Sequence, residues 1–196
     1  MFWKSLRTLM EGQAEVQAQL DQLLEQFPVA MQEAMQRMWS SKLGLSSADH
    51  ALVQELSKLM VESSADYSML FRRLSDLPEQ IDPLRGCFYL PLSAALESQW
   101  NDWLLRWRAQ WPSGVDPSVI SAGMRRVNPA ITWREWLIAP AYQQAGEGDT
   151  SLMAELQQLF STPYETPSPE MATRYDRLKP REFFSAGGVS YYSCSS

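Results

Sequence analysis

Apolar residues recur at intervals of three and four positions along most of the first 160 residues, with proline or glycine between the runs. This spacing is that of α-helices with one buried face. No stretch alternates clearly enough to predict a strand. The pattern therefore predicts an all-α fold, an irregular domain of about eight helices. We place them at residues 3–26 and 30–43, at about 47–60 and 65–74, at about 93–111, from 117 onward, at 129–146 and at 149–160.

The character of the chain changes after Phe160. Prolines at positions 163, 167, 169 and 180 are expected to break any helix in this segment. The segment nevertheless carries too many aromatic residues for a solvated linker: Tyr164, Tyr175, Phe183, Phe184, Tyr191 and Tyr192. We therefore predict a helical domain over residues 1–160 and an extended tail over residues 161–196 that docks along another surface.

Four tryptophans share one face of the predicted fifth helix, because Trp100, Trp103, Trp107 and Trp111 are three or four residues apart. An aromatic stripe at this spacing is more often buried core than an exposed docking face. We predict that the stripe is core. The alternative, a surface for another domain, is open at this point.

Three arginines, Arg125, Arg126 and Arg134, bracket the dipeptide Asn128–Pro129. One interpretation is an anion or carboxylate clamp, since guanidinium groups make paired hydrogen bonds. The interpretation that we favour is structural. In it, Asn128 caps a helix, Pro129 begins it and Arg134 pairs with a buried acid.

Charge and hydropathy exclude several function classes. The formal net charge of −6, without a basic stripe, argues against nucleic-acid binding. No apolar run approaches the roughly 18 residues that a membrane span needs. The first residues carry few cations and are soon followed by Glu11, which argues against a cleavable signal peptide. We expect a cytoplasmic protein with neither nucleic acid nor membrane among its partners.

Candidate catalytic and metal-binding groups are few. His50 is the single histidine, and no nucleophile motif lies near it. The two cysteines have no metal-ligand spacing. The sequence contains neither a glycine-rich phosphate loop nor a nucleophile elbow. Taken alone, these residues predict no catalytic, cofactor-binding or metal site.

Cys194 is the residue whose presence packing explains least well. It lies third from the end of the sequence, and terminal residues are usually solvated. The choice is between an idle thiol and redox use, and we favour redox use. Cys87, between Pro83 and Pro91, is expected to have a local packing role or none. We predict that it does not pair with Cys194.

Three stretches together resemble the C-terminal part of the selenoprotein O family, also called the YdiU family. The first joins residues 38–45 to the run DYSMLFRRL at 66–74, and the second contains Asn128, Pro129 and Arg134 followed by Trp136-Leu137. The third is the terminal VSYYSCSS at 189–196. The order of the stretches agrees with the family from about residue 25 onward, and the Asn-Pro-x4-Arg segment with the Ser-Cys-Ser-Ser terminus is specific.

The resemblance implies a kinase-like fold that binds ATP with magnesium and transfers AMP to hydroxyl groups of protein substrates. The family's nucleotide- and metal-binding residues lie upstream of the stretches matched here. We therefore expect a C-terminal portion whose partner is the kinase-like catalytic region of the same protein. The resemblance also implies that Cys194 is the terminal cysteine, which in the family is thought to form a disulfide with the activation segment.

Two functions are consistent with the sequence. In the first, the chain is the helical C-terminal portion of a protein AMP-transferase and contributes scaffold and a redox cysteine, while being inactive alone. In the second, it is a stand-alone helical interaction module without catalysis.

Overall fold

The structure, a computed structural model, describes Ser5 and residues 7–185. Within these residues it contains α-helices and two short 3₁₀ helices, and its one extended pairing is an isolated bridge between Ala65 and Phe88. The all-α prediction is confirmed. The α-helices are α1 (Ala14–Leu43), α2 (His50–Glu62), α3 (Tyr67–Leu74), α4 (Ala94–Ala109), α5 (Pro117–Arg125), α6 (Glu135–Gly146), α7 (Ser151–Ser161) and α8 (Pro169–Tyr175), and the 3₁₀ helices are Asp82–Cys87 and Arg181–Phe183.

The chain forms two compact units, residues 1–39 and residues 40–196. In the first unit, the predicted helix over 3–26 is interrupted, because a turn precedes α1 and Gly12 in it has a φ of 86°. The predicted break at Pro28 is wrong, since α1 continues through it. A proline removes one backbone donor, and the leucine, glutamine, alanine and methionine residues around it favour helix strongly enough to sustain both flanks.

The core of the second unit is built on the tryptophan stripe of α4. Trp100, Trp103 and Trp107 are fully buried, and Trp111 is partly buried with its ring edge-on to Trp107. The indole N–H of Trp103 donates to the Leu52 carbonyl at 3.0 Å. This donor therefore keeps a hydrogen-bond partner when the ring is buried. The prediction that the stripe is core is confirmed.

Short polar side chains define where several of these helices begin. Asp49, Asp66 and Asp116 each accept a hydrogen bond from a backbone N–H in the first turn of α2, α3 and α5. Such caps satisfy donors that have no partner within the helix. Helix α5 therefore begins at Pro117, as predicted, and α2 begins at His50, a little after the predicted start near residue 47.

A smaller cluster joins α6, α7 and α8, with Trp136, Leu137, Leu156 and Tyr175 buried in it. The expectation that prolines break every helix after Phe160 is wrong for α8. Pro169 occupies its first turn, where a missing N–H costs nothing, and Ser168 caps it. The domain boundary at residue 160 stays a prediction.

Replacing Gly44 with alanine is expected to lower the free energy of unfolding by about 1–3 kcal/mol. Gly44 has a φ of 66°, and an added Cβ would lie 2.6 Å from Cγ2 of Ile120 in α5. Gly123, inside α5, is the matched control, because nothing lies within 4 Å of its added Cβ. There, alanine should instead stabilise by about 0.5–1 kcal/mol. Urea unfolding of both variants checks this, and a neutral Gly44→Ala would contradict it.

Candidate functional site

The segment around Asn128 does not begin a helix as predicted. Helix α6 begins at Glu135, and a residue that precedes proline disfavours the helical conformation. The Asn128 side chain is fully buried instead. Its amide donates to the Lys42 carbonyl at 2.9 Å and to the Ser75 hydroxyl at 3.2 Å, while its oxygen accepts from the Lys42 ammonium at 3.2 Å. Asn128 therefore ties the loop after α5 to the ends of α1 and α3.

Arg72 of α3 lies at the centre of this region and is only 5% exposed. One terminal nitrogen of its guanidinium donates to the backbone carbonyls of Asn128 at 3.1 Å, Tyr164 at 3.2 Å and Arg125 at 3.4 Å. The other donates to the Thr166 hydroxyl at 3.5 Å. Burial lowers the pKa of Arg72, yet a guanidinium stays protonated in proteins. The Arg72 guanidinium thus joins α3 to the stretch 125–128 and to the tail at residues 164–166.

Arg134 forms a two-pronged ion pair with Asp66, with nitrogen–oxygen distances of 2.8 and 2.9 Å. Both side chains are largely buried, at 15% and 12% exposed. The predicted pairing of Arg134 with a buried acid is confirmed. Asp66 also caps α3 by accepting from the Met69 amide at 3.0 Å, so the carboxylate fixes both the start of α3 and the segment that enters α6. Arg72, Asn128, Asp66 and Arg134 are called the buried polar network below.

The described part of the tail docks next to this network. Besides the Tyr164 carbonyl held by Arg72, the Lys179 amide donates to the Tyr89 hydroxyl at 3.1 Å. Asp176 forms an ion pair with Arg73 and is 7% exposed. These contacts agree with the expected docking, and Tyr175 is buried, whereas Tyr164 and Phe184 are exposed; the tail as a separate unit stays a prediction. Tyr191 and Tyr192 lie outside the described residues.

Most donors of this region point at protein groups, although Nε of Arg125 is buried without a hydrogen-bond partner. Arg134 is paired with Asp66, and Arg125 forms an ion pair with Asp76. Two of the three arginines considered for an anion clamp are therefore already bound to carboxylates. Arg126 lies on the surface. The arginines therefore have a structural role. They donate hydrogen bonds to buried carbonyls and to a buried carboxylate where α3, the α5–α6 loop and the tail meet.

Cys87 is 1% exposed, and burial raises the pKa of its thiol to about 12. A thiol with such a pKa is protonated at neutral pH and is a poor nucleophile. This agrees with the predicted packing role. Cys194 lies outside the described residues, so its predicted redox role and its lack of pairing with Cys87 stay predictions. His50 is exposed at the first position of α2.

A Cys194→Ser variant is expected to show no rapidly reacting thiol at pH 8 while folded. Because the Cys87 pKa is raised, its thiolate fraction is small there and grows only as the pH approaches about 12. In urea, one thiol should react at the rate of an ordinary cysteine. Labelling with a disulfide reagent, followed by mass spectrometry, checks this. Fast labelling of Cys87 in the folded variant would contradict the burial.

Further groups for metal or membrane contact are not found in the part of the chain that the structure describes. Across Ser5 and residues 7–185, no three His, Cys, Asp or Glu side chains gather as metal ligands. No helix in that part is both long and apolar enough to cross a bilayer. The cytoplasmic location stays a prediction.

Comparison with known proteins agrees with the sequence motifs. The family model described as protein adenylyltransferase SelO matches residues 1–161. The chain belongs to the SelO family. The match covers α1 to α7, and with them every side chain of the buried polar network, so the network lies within the SelO-type part of the chain.

Relatives of this SelO family member are several bacterial proteins named protein nucleotidyltransferase YdiU. The one from Aromatoleum aromaticum is 31% identical over 182 residues, covering 88% of this chain and 34% of the relative. The one from Xanthomonas oryzae pv. oryzae is 33% identical over 188 residues, covering 92% and 36%. The Salmonella typhi protein is 31% identical over 161 residues, covering 79% and 32%. The chain thus spans about a third of the length of the curated relatives it matches.

Asn128, Pro129 and Arg134 stand out in the sequence, whereas the central role of Arg72 does not. The sequence does contain an indication that Arg72 is buried. Arg72 lies between Phe71 and Leu74 on a helix whose buried residues surround it, and a charge on a buried face needs partners. Those partners are backbone carbonyls, which no residue type reveals.

Proposed function

We propose that this chain is the helical C-terminal portion of a SelO-type protein AMP-transferase. In this role it supplies scaffold and the terminal redox cysteine Cys194, and AMP moves from ATP to protein hydroxyls in the kinase-like region that the chain lacks. The observation that carries the proposal is the family match over residues 1–161 in a chain that spans 34% to 36% of two YdiU relatives.

The buried polar network supports a scaffold role. Its arginines are occupied by Asp66 and by backbone carbonyls, and groups committed in this way are not available to a substrate. Catalytic arginines that stabilise transferring phosphates must instead point their donors at the phosphate. The network is therefore suited to hold one surface of the protein in a fixed shape.

Among residues 7–185, the carboxylates in and beside the buried polar network do not fit a magnesium site. Asp66, Asp76 and Asp176 are each engaged by an arginine, whereas Mg²⁺ is held by carboxylates free to coordinate it together with the phosphates. We assign nucleotide and metal binding to the kinase-like region, which is the proposed partner of this chain. Cys194 is proposed to form a reversible disulfide there, and opening it with reductant should raise activity.

The isolated chain is expected to bind no ATP in the presence of Mg²⁺. Isothermal calorimetry checks this, and micromolar affinity that disappears when magnesium is removed would contradict it. The matched experiment joins the unmatched portion of the Xanthomonas oryzae relative to this chain and measures transfer of labelled AMP to protein. Activity of the joined protein, absent from either part alone, supports the proposal. An unmatched portion that is fully active alone would contradict the scaffold role.

A further inference from the structure

Helix α1 carries a line of apolar residues, most of which are exposed in the part of the chain that the structure describes. The line, called the α1 stripe, consists of Val16, Leu20, Leu24, Phe27, Met31, Met35 and Met38. At 1.5 Å per residue it extends about 33 Å. Leu24, Phe27, Met31 and Met35 are 44% to 58% exposed. Single exposed apolar residues are ordinary, but a continuous line of this length marks an interaction surface.

The spacing of the α1 stripe decides what kind of partner it fits. Its members follow one another at four, four and three residues, repeated twice. This repeat of eleven differs from the repeat of seven that the left-handed two-stranded coiled coil needs. Pro28 also lies inside the helix, and proline disturbs a regular helix pair. A second copy of α1, paired with the first in a left-handed coiled coil, is therefore a poor partner.

The apolar face is also wider than a coiled-coil seam. Leu23, Ala30 and Ala34 lie along one edge of the stripe at 3.6 residues per turn, and Leu23 is 64% exposed. A broad face of this kind is typical of a helix packed onto the body of a globular domain. The partner that fits is thus an extended apolar surface.

The relatives contain a source for such a surface. Helix α1 lies within the residues matched by the SelO family model, so it belongs to the common body of the family. The YdiU relatives have about two thirds of their length outside the match, since 34% and 36% is covered. That remainder is absent from this chain, and its length is ample to cover one helix face.

We propose that the α1 stripe is the interface on which the kinase-like remainder of the protein packs, through an apolar surface of that remainder. This proposal rests on the proposed function, because it takes the chain to be one part of a larger SelO-type protein. Coverage of the stripe removes its methionines from solvent, and methionine oxidation reports this directly.

The test compares methionine oxidation by peroxide in the isolated chain and in the protein joined to the unmatched portion of the Xanthomonas oryzae relative. Met31 and Met35 are 48% and 44% exposed, whereas Met69 and Met124 are 5% and 0% exposed and serve as internal controls. We expect Met31 and Met35 to oxidise quickly in the isolated chain and about tenfold more slowly in the joined protein. Rapid oxidation of Met69 and Met124 in the joined protein would show that it is unfolded. In that case, the same comparison is made with the two polypeptides mixed.

A pair of matched variants locates the interface. Phe27 is 58% exposed and Val29 is 59% exposed, but they lie on opposite faces of α1 at 3.6 residues per turn. Phe27→Asp should abolish the protection of Met31 and Met35, and Val29→Asp should leave it intact. Equal effects of the two variants would overturn the proposal.

The outcomes separate this proposal from the proposed function. If Met31 and Met35 stay reactive in a joined protein that transfers AMP, the interface is wrong and the function stands. If they are protected in a joined protein without activity, the interface stands and the function is wrong. Protection that is present in the isolated chain and lost on dilution would identify a second copy as the partner and overturn the interface proposed here.

Discussion

Trp107→Ala is expected to lower the free energy of unfolding by about 3–5 kcal/mol, the range for deleting a large side chain from a packed core. Trp107 is fully buried, and its ring stacks on Trp103 with centroids 5.7 Å apart. Its indole N–H donates to the Leu43 carbonyl at 2.8 Å. The substitution therefore leaves a cavity and also an acceptor without its donor.

Urea unfolding followed by circular dichroism measures this effect. Trp133→Ala is the matched control, because Trp133 is 63% exposed and its loss should change stability by less than about 0.5 kcal/mol. A Trp107→Ala variant within about 1 kcal/mol of the parent would mean that the stripe is not the core of the second unit.

Arg72→Met is expected to cost about 3–5 kcal/mol, comparable with breaking a buried ion pair. Methionine keeps much of the volume but donates nothing, so the carbonyls of Asn128 and Tyr164 lose the donor that now lies 3.1 and 3.2 Å away. Each buried acceptor left alone costs about 1–3 kcal/mol. Part of that cost falls on the tail, which should be cleaved by protease near residues 163–168 much sooner than in the parent.

Arg126→Met is the control for the loss of a positive charge, since Arg126 lies on the surface beside the same loop. It should leave both the unfolding midpoint and the rate of tail cleavage unchanged. Arg72→Lys should resemble Arg72→Met, because an ammonium cannot reproduce the planar fork that serves several acceptors. Normal stability of both Arg72 variants would show that the carbonyls find water instead.

Much of the helical architecture follows from periodicity and caps, and the errors have identifiable causes. The tryptophan stripe and the start of α5 were predicted because burial and capping are local signals. The break at Pro28 was predicted wrongly, since the propensity of the flanking residues outweighs one lost hydrogen bond. Helix α8 was missed because Pro169 was interpreted as a breaker, although proline is favoured in the first turn.

The candidate site was only partly predictable. The pairing of Arg134 with an acid was predicted, but its partner Asp66 lies 68 positions away in the sequence, and nothing in a single sequence specifies such a pair. Asn128 was assigned to a helix cap because asparagine before proline commonly has that role. The structure buries it against Lys42 and Ser75, a contact set by tertiary packing alone.

The acceptors of Arg72 are main-chain oxygens, and this has a consequence for how the protein can diverge. A carbonyl is the same whichever side chain its residue carries, so Tyr164, which is 49% exposed, can be exchanged without removing an acceptor. Substitutions should accumulate at positions 125 and 164 while the arginine stays fixed. Covariation of position 72 with positions 125 and 164 should therefore be weak, although Arg72 donates to both carbonyls. Contact prediction from aligned relatives would then overlook this tie between the tail and the helices.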